Sequence, residues 1–397
     1  MPVGKHQQAP EGSFVNSVSA PRLVTPQVRG SLSDLPVRNG TSRPRDVAFC
    51  KPSSGTWLDV TNAEFLADVR ALAKGLMAAG IGPGERVAIM SKTRYEWALS
   101  DFAIWTAGAV CVPIYETSAA QQVGWIVKDA GCAAVILETP THAKVLAEAK
   151  GDLPELRDVW QIDAGGLDRL RESGQQITDE ALEYRRSQVV RADVATIIYT
   201  SGTTGRPKGC QLTHDNFMAL AENATESMKA VLDVEGSSTL LFLPLAHVFA
   251  RFIEVICVHA GVRMGFNSDI KNLVADFGTF SPTFILSVPR VFEKIYNSAE
   301  QKAVSGGRGR IFKAAAATAT TGARPRRTGG PAPGSGPGTR YSTRSSTASF
   351  EPPWAARSRM PCQVAGRWVP VWATSTAASG SPCSRATASP RPRHRQP

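Results

Sequence analysis

The residues best suited to bind a charged ligand lie in one short segment, which reads TSGTTGRPKG from Thr200 to Gly209. Glycines let a backbone turn several N–H groups toward one anion without a clash from Cβ, and hydroxyl side chains add further donors. Lys208 supplies a compact positive charge, Arg206 adds a second cation, and the segment contains no acidic residue. A polyphosphate needs many short donors and a cation, so this composition indicates a triphosphate site.

The same segment has two other interpretations. A Walker loop requires Ser or Thr after the lysine, and Gly209 follows Lys208 instead, so the pattern is not a Walker loop. An ordinary Ser/Thr/Gly turn between a strand and a helix is the plain structural alternative. Ten consecutive positions favour the phosphate site, because TSGTTGRPKG resembles the phosphate-loop signature of the adenylate-forming superfamily. That superfamily includes acyl-CoA synthetases, firefly luciferases and the adenylation domains of peptide synthetases.

The resemblance extends over about residues 54–303 and is closest to the long-chain fatty acyl-CoA synthetase branch. The stretch GERVAIMSKTRYEWALSDFAIWTAGAVCVPIYETS, residues 84–118, resembles the N-terminal subdomain of those enzymes. LPLAHVFARFIE, residues 243–254, resembles their second motif, which borders the acyl pocket. SVPRVFEKIYN, residues 287–297, is similar to a segment of the same branch.

This resemblance implies an ATP-dependent fatty acid–CoA ligase. A carboxylate attacks the α-phosphate of ATP to give an acyl-adenylate and pyrophosphate, and coenzyme A then forms the thioester and releases AMP. ATP, Mg²⁺ and coenzyme A are the implied cofactors, and a fatty acid is the implied substrate. The resemblance gives Lys208 and His247 as catalytic candidates and Thr200 as a Mg²⁺ contact. The implied phosphate-binding residues are Thr200, Ser201, Gly202, Thr203, Thr204, Gly205, Lys208 and Gly209.

Two further readings of the function stay open. The phosphate loop does not fix the acid, so a ligase for a medium-chain or aryl acid is the first alternative. A non-catalytic nucleotide-binding remnant, whose basic tail contacts nucleic acid or anionic lipid, is the second. We expect no nucleic acid partner and no defined protein partner. A fatty acid substrate is compatible with peripheral contact with membrane lipid.

Other side chains near these motifs have plainer expected roles. His247 has a structural alternative as a packed histidine at a helix start. Arg251 and Glu254 lie four and seven residues later, and we expect them to form an ion pair at the surface or between subdomains. Trp97 and Trp105 stand at helical spacing and are expected in the core.

The predicted strands and helices that would position the phosphate loop alternate regularly along the chain. Short apolar runs alternate with amphipathic helices of 10–15 residues, which predicts an α/β fold with mainly parallel strands and helices on both faces. The resemblance implies the large N-terminal domain of acyl-CoA synthetases. Predicted helices cover Tyr95–Thr106, Ala119–Ala130 and the stretch after Val60, with a stop at Gly80. Predicted strands cover residues 86–91, 109–114, 133–137, 193–201, 240–245, 262–266 and 283–289.

Three segments divide the chain. Residues 1–45 are rich in Pro, Gly and Ser and are expected to form a flexible N-terminal arm without a signal peptide. Residues 46–313 are the expected N-terminal portion of an AMP-binding domain. Seven scattered cysteines, without zinc spacing, fit a reducing compartment, so we expect a cytoplasmic protein, with any membrane contact at the inner face.

The third segment, residues 314–397, has a different composition. It holds 12 Arg, 12 Pro, one acidic residue, Glu351, and no Leu, Ile or Lys, so it accounts for the whole net charge of +11. Such a segment has too little apolar content to order itself, and a natural disordered tail is one explanation. A change of reading frame after about residue 313 is the other, and we favour it.

The frame hypothesis can be tested on the letters themselves. When each codon takes the last base of one triplet and the first two of the next, residues 381–392 can read VTVLEGYGLTET. In the same frame, the stretch from Tyr341 to Trp354 can read LFDKVVYGKLRAA. EGYGLTET resembles the adenine-binding motif that follows the phosphate loop in the superfamily. We therefore expect the chain as written to be truncated and unable to complete the reaction.

Overall fold

The computed structural model describes residues 23–25, 27–149, 153–200, 206–269 and 272–322. The chain divides into two compact units, residues 1–270 and residues 271–397. The strands are β1 (Val47–Ser53), β2 (Thr56–Thr61), β3 (Arg86–Met90), β4 (Val110–Ile114), β5 (Cys132–Leu137), β6 (Asp158–Gln161), β7 (Val194–Thr200), β8 (Lys208–Thr213), β9 (Ser238–Leu241) and β10 (Arg263–Phe266). All of them belong to the first unit.

Thirteen α-helices lie in the described residues. In the first unit they are α1 (Asp34–Ser42), α2 (Asn62–Ala78), α3 (Tyr95–Thr106), α4 (Ala120–Ala130), α5 (Pro140–Ala149), α6 (Gly166–Ser173), α7 (Asp179–Ser187), α8 (His214–Ser227), α9 (Lys229–Leu232) and α10 (Val248–Ala260). In the second unit they are α11 (Leu273–Phe280), α12 (Pro289–Ser305) and α13 (Gly309–Gly322). None of these helices combines the length and the apolar character needed to cross a membrane.

Two sheets carry the strands. The larger has the order β6-β5-β3-β4-β7-β8 and the smaller has the order β2-β1-β10-β9. Neighbouring strands run parallel except for the pairs β1–β2 and β7–β8. The predicted α/β fold with mainly parallel strands is therefore confirmed. β4 and β5 are buried at every position, as expected for parallel strands that are covered on both faces.

The helix α2 shows how closely local sequence sets local structure. Thr61 caps its N-terminus in a reciprocal capping box with Glu64. Gly80 adopts φ 78°, the left-handed conformation that ends a helix, so the predicted stop is confirmed. Phe65 and Val69, two of its regularly spaced apolar residues, are each 1% exposed.

Two of the predicted segments need correction. Residues 27–45 are not a loose arm, because α1 lies there and buries Leu35, while Asn39 donates a hydrogen bond to the carbonyl of Val258. Residues 1–22 lie outside the described residues. The apolar run at residues 283–289 is not a strand, because a strand forms only where a neighbouring strand pairs with its backbone.

The beginning of the predicted tail is also helical. α13 continues through residues 314–322, where an alanine-rich stretch has high helix propensity. Within the second unit, α12 and α13 pack on each other, with the rings of Tyr296 and Phe312 5.2 Å apart. The rest of the predicted tail, residues 323–397, lies outside the described residues.

Candidate functional site

The predicted phosphate loop joins two paired strands. β7 ends at Thr200, β8 begins at Lys208, and these two residues are partners in an antiparallel register, as are Tyr199 and Gly209. The ends of the predicted ten-residue loop therefore belong to strands of a hairpin. The turn joins two strands, and not a strand and a helix as the ordinary-turn alternative assumed; its contact with phosphate stays a prediction. Ser201, Gly202, Thr203, Thr204 and Gly205 lie outside the described residues.

The hairpin turn lies at one defined edge of the larger sheet. β7 runs parallel to β4, with Thr196 beside Cys111, so its last residue lies at the carboxyl edge of the parallel strands. In open α/β sheets this edge is where ligands bind. The sheet thus places Thr200 and Lys208 on the side of the fold that is suited to a ligand.

Lys208 meets the requirements of an anion contact. Its side chain is exposed, and no carboxylate of the described residues forms an ion pair with it. The neighbouring Thr200 is exposed as well. A cation without an acidic partner, next to a hydroxyl, fits a phosphate ligand. A lone hydroxyl is a weak Mg²⁺ ligand, so a bound metal would need phosphate oxygens to complete its coordination.

His247 lies at the start of α10. It is exposed, and its Nδ1 accepts a hydrogen bond from the N–H of Phe249 at 3.2 Å, so it caps the helix. The preceding segment is fixed to the loop after β3. The hydroxyl of Thr93 donates to the carbonyl of Leu243 at 2.7 Å and accepts from the N–H of Leu245 at 3.2 Å. His247 therefore follows a segment held at the same carboxyl edge.

A buried ion pair connects the His247 helix to the hairpin. Arg251, in the first turn of α10, donates three hydrogen bonds of 2.6–2.9 Å to the carboxylate of Asp101 on α3. Its Nη1 also bonds the hydroxyl of Thr196 on β7, which itself donates to the carbonyl of Cys111. One guanidinium thus connects α10 to the strand that ends at the predicted phosphate loop.

The expected surface role of Arg251 and Glu254 is wrong, because both side chains are 0% exposed. Trp97 and Trp105 are 0% exposed, so both are core residues, as predicted. Their ring centroids lie 5.4 and 5.3 Å from the Arg251 guanidinium. Aromatic faces stabilise a cation that has lost its water. This arrangement lets Arg251 remain charged inside the fold.

Glu254 is a second buried acid beside this pair. Neither of its carboxylate oxygens has a hydrogen-bond partner among the described residues. Burial raises the pKa of Glu254 well above its usual range, and the nearby charge of Asp101 adds to the effect. Because Arg251 bonds Asp101 and not Glu254, we place the negative charge on Asp101 and the proton on Glu254.

His214 is a buried histidine of the first unit. It opens α8 but is only 1% exposed, and its Nδ1 accepts the N–H of Leu32 at 3.2 Å. The neighbouring Thr213, not His214, caps the helix. Burial lowers the pKa of His214 to about 4, so it is neutral in the folded protein.

An open groove of about 490 Å³ lies elsewhere in the first unit. It is lined by α2 and by residues near 171–179, including Arg70, Lys74 and Arg171. Lys74 is paired with Asp179 at 2.9 Å. None of the candidate site residues lines this groove, so we do not assign it to a substrate.

Comparison with known proteins places this chain in a family. Residues 37–338 match the family described as AMP-binding enzyme. The long-chain-fatty-acid–CoA ligase FadD15 of Mycobacterium bovis is 46% identical over 308 residues, 77% of this chain and 51% of the relative. Long chain acyl-CoA synthetase 3 of Arabidopsis thaliana is 32% identical over 251 residues, 59% of this chain and 38% of the relative.

A solved structure agrees with this result. The inhibitor-bound N-terminal domain of FACL13 from Mycobacterium tuberculosis is 26% identical, with a TM-score of 0.57. The match covers 66% of this chain and 64% of that one. The chain spans about half the length of the FadD15 relative that it matches.

Proposed function

Because the chain belongs to the AMP-binding enzyme family, we propose that it derives from a long-chain fatty acid–CoA ligase that uses ATP, Mg²⁺ and coenzyme A. The observation that carries the proposal is the β7–β8 hairpin. Its turn carries the phosphate signature, and it presents Thr200 and an exposed Lys208, without an ion-pair partner among the described residues, at the carboxyl edge of the sheet. The similarity to long-chain ligases supports the choice of a long-chain acid.

The chemical difficulty of the first step is charge. A carboxylate must approach the α-phosphate of ATP, which carries several negative charges of its own. Lys208 offsets part of this charge, and the hydroxyls and backbone N–H groups of the loop hold the phosphates in line for attack. When bound, Mg²⁺ would supply further positive charge at the phosphate oxygens, with Thr200 as its proposed protein contact.

His247 is the proposed contact on the side of the acid. Its Nδ1 accepts the backbone N–H of Phe249, which leaves Nε2 to carry the proton and to donate a hydrogen bond. A donor at the carboxyl edge can orient the substrate carboxylate. The hydrogen bonds of Thr93 to the segment before α10 restrict where this histidine stands.

A substrate panel distinguishes the proposal from its alternatives. The gene is corrected so that it is translated in the frame that gives VTVLEGYGLTET. The extended protein is then incubated with ATP, Mg²⁺, coenzyme A and one of three acids, palmitate, octanoate or benzoate. We expect CoA thioester formation to be fastest with palmitate. Faster reaction with octanoate or benzoate would favour a ligase for another acid. Nucleotide binding without any thioester would favour a non-catalytic protein.

A further inference from the structure

The helix α4 contacts the phosphate hairpin at β7 and at the segment just before β8. The indole N–H of Trp125 donates to the carbonyl of Pro207 at 3.0 Å, and the Arg206 guanidinium lies over the Trp125 ring at 4.8 Å from its centroid. One helical turn later, Asp129 accepts the hydroxyl of Tyr199 at 2.6 Å. Trp125 therefore contacts the segment that leads into β8, and Asp129 contacts β7.

The inner side of α4 is fixed in the core. Val123, Ile126 and Val127 are buried in an apolar cluster with strands β3, β4 and β5, and Trp125 packs against that cluster. Packed interiors resist displacement, so Trp125 offers the hairpin a rigid support. The hairpin itself is an edge element, because β8 is the last strand of its sheet.

Gly209 completes the contact. A Cβ on this residue would stand 2.8 Å from Cγ2 of Ile197 and 3.1 Å from Cζ of Tyr199. Only glycine therefore lets the Tyr199 ring lie close to β8 while its hydroxyl reaches Asp129. The structure therefore gives Gly209 a packing role, which is to let the Tyr199 ring approach β8. Its contact with phosphate stays a prediction.

From these contacts we propose that Trp125 is a positioning residue for the phosphate site, which fixes Arg206 and Pro207 and thereby the place of Lys208. The inference rests on the proposed function, because it assigns the hairpin to phosphate. Trp125 touches no reacting atom in this scheme. It acts by holding the segment that immediately precedes Lys208.

Three substitutions in the full 397-residue chain test the proposal. Trp125→Leu removes both the indole N–H and the ring, and Trp125→Phe removes only the N–H. Trp160→Leu, on β6 at the opposite edge of the same sheet, is the matched control for loss of a partly buried tryptophan. The affinities for MgATP and for inorganic tripolyphosphate with Mg²⁺ are measured by calorimetry. Amide hydrogen exchange is followed by mass spectrometry.

We expect Trp125→Phe to weaken both affinities about fivefold, the equivalent of one hydrogen bond. Trp125→Leu should weaken them roughly tenfold or more, because the cation–π contact is lost as well. Amides of residues 206–211 should exchange faster in both variants, while those of α2 should not change. Trp160→Leu should leave the affinities and the exchange of residues 206–211 unchanged. Trp125→Phe keeps a ring in the core and carries the test if the leucine variant does not fold.

Three results would overturn the inference, and they are distinguishable from one another. If the unaltered chain binds neither MgATP nor tripolyphosphate, the phosphate site of the proposed function fails, and the role of Trp125 fails with it. If the unaltered chain binds both and the Trp125 variants bind them as tightly, only the positioning role is wrong. Faster exchange throughout the chain, with no local effect at residues 206–211, would also contradict it.

Discussion

Replacing Arg251 by methionine should destabilise the first unit strongly. The substitution keeps a long apolar side chain beside Trp97 but removes the only cation that bonds Asp101 among the described residues. Asp101 is 0% exposed and would lose three hydrogen bonds from the guanidinium. An uncompensated buried carboxylate costs about 3–5 kcal/mol of folding free energy.

Protonation of Asp101 sets a limit to this loss. An aspartate with an unfolded-state pKa of about 3.9 is protonated at pH 7 at a cost of about 4 kcal/mol, at about 1.4 kcal/mol per pH unit. At pH 5 the same limit is about 1.5 kcal/mol. The destabilisation by Arg251→Met should therefore shrink as the pH falls from 7 to 5.

Urea denaturation followed by tryptophan fluorescence measures this effect, because Trp97 and Trp105 lie beside the guanidinium. Lys144→Met, which removes an exposed cation of α5, is the control and should change stability by less than about 0.5 kcal/mol. In the double variant with Asp101→Leu, stability should recover relative to Arg251→Met. Two results would refute the reasoning. One is a loss of folding free energy below about 1 kcal/mol for Arg251→Met at pH 7, and the other is a double variant whose loss equals the sum of the two single losses.

Three further predictions concern other parts of the chain. The folded pKa of Glu254 is raised, so the folded state keeps a proton that the unfolded state releases above about pH 4.5. Stability is therefore lost as the pH rises above about 4.5 toward the raised pKa of the folded state. Glu254→Gln should flatten this loss in urea denaturation; an unchanged pH profile would contradict it. His214 has the opposite sign: its folded pKa of about 4 lies below its unfolded value, so stability falls by up to about 3 kcal/mol as the pH falls from about 6.5 to 4. His214→Gln should remove much of that loss and His247→Gln, at an exposed histidine, should retain it; His259, whose pKa burial also lowers to about 4, keeps part of it in both. Resequencing the DNA between the codons for Gly306 and Thr321 should reveal a one-base change of frame, and an unbroken frame there would support a natural tail.

Most of the fold could be predicted because local patterns agree with it. Alternating apolar runs and amphipathic helices gave the parallel sheet, and α3 has the predicted bounds. β8 was harder to predict, because its sequence KGCQLT is polar and mostly exposed, as an edge strand allows. α1 was missed because its segment is rich in Pro, Gly and Ser, and because α1 is held by a contact with the distant α10.

The site was predictable only where its signal is local. The phosphate signature is one continuous segment, so Lys208 stood out from the sequence alone. The partners of Arg251 lie 150 and 55 residues away, and a charged residue on an amphipathic helix is more often exposed. Trp125 was missed for the same reason, because its contact with Pro207 spans 82 residues.

Palmitate-dependent release of pyrophosphate tests the central claim most directly. The frame-corrected protein is assayed with ATP and Mg²⁺ beside Lys208→Ala and the control Lys144→Ala, which alters an exposed lysine on α5. We predict turnover by the corrected protein, a loss of roughly tenfold or more in kcat/KM for ATP with Lys208→Ala, and no change with Lys144→Ala. The 397-residue chain should release no pyrophosphate. A corrected protein that folds but is inactive with palmitate, or a Lys208→Ala variant as active as the control, would contradict the account.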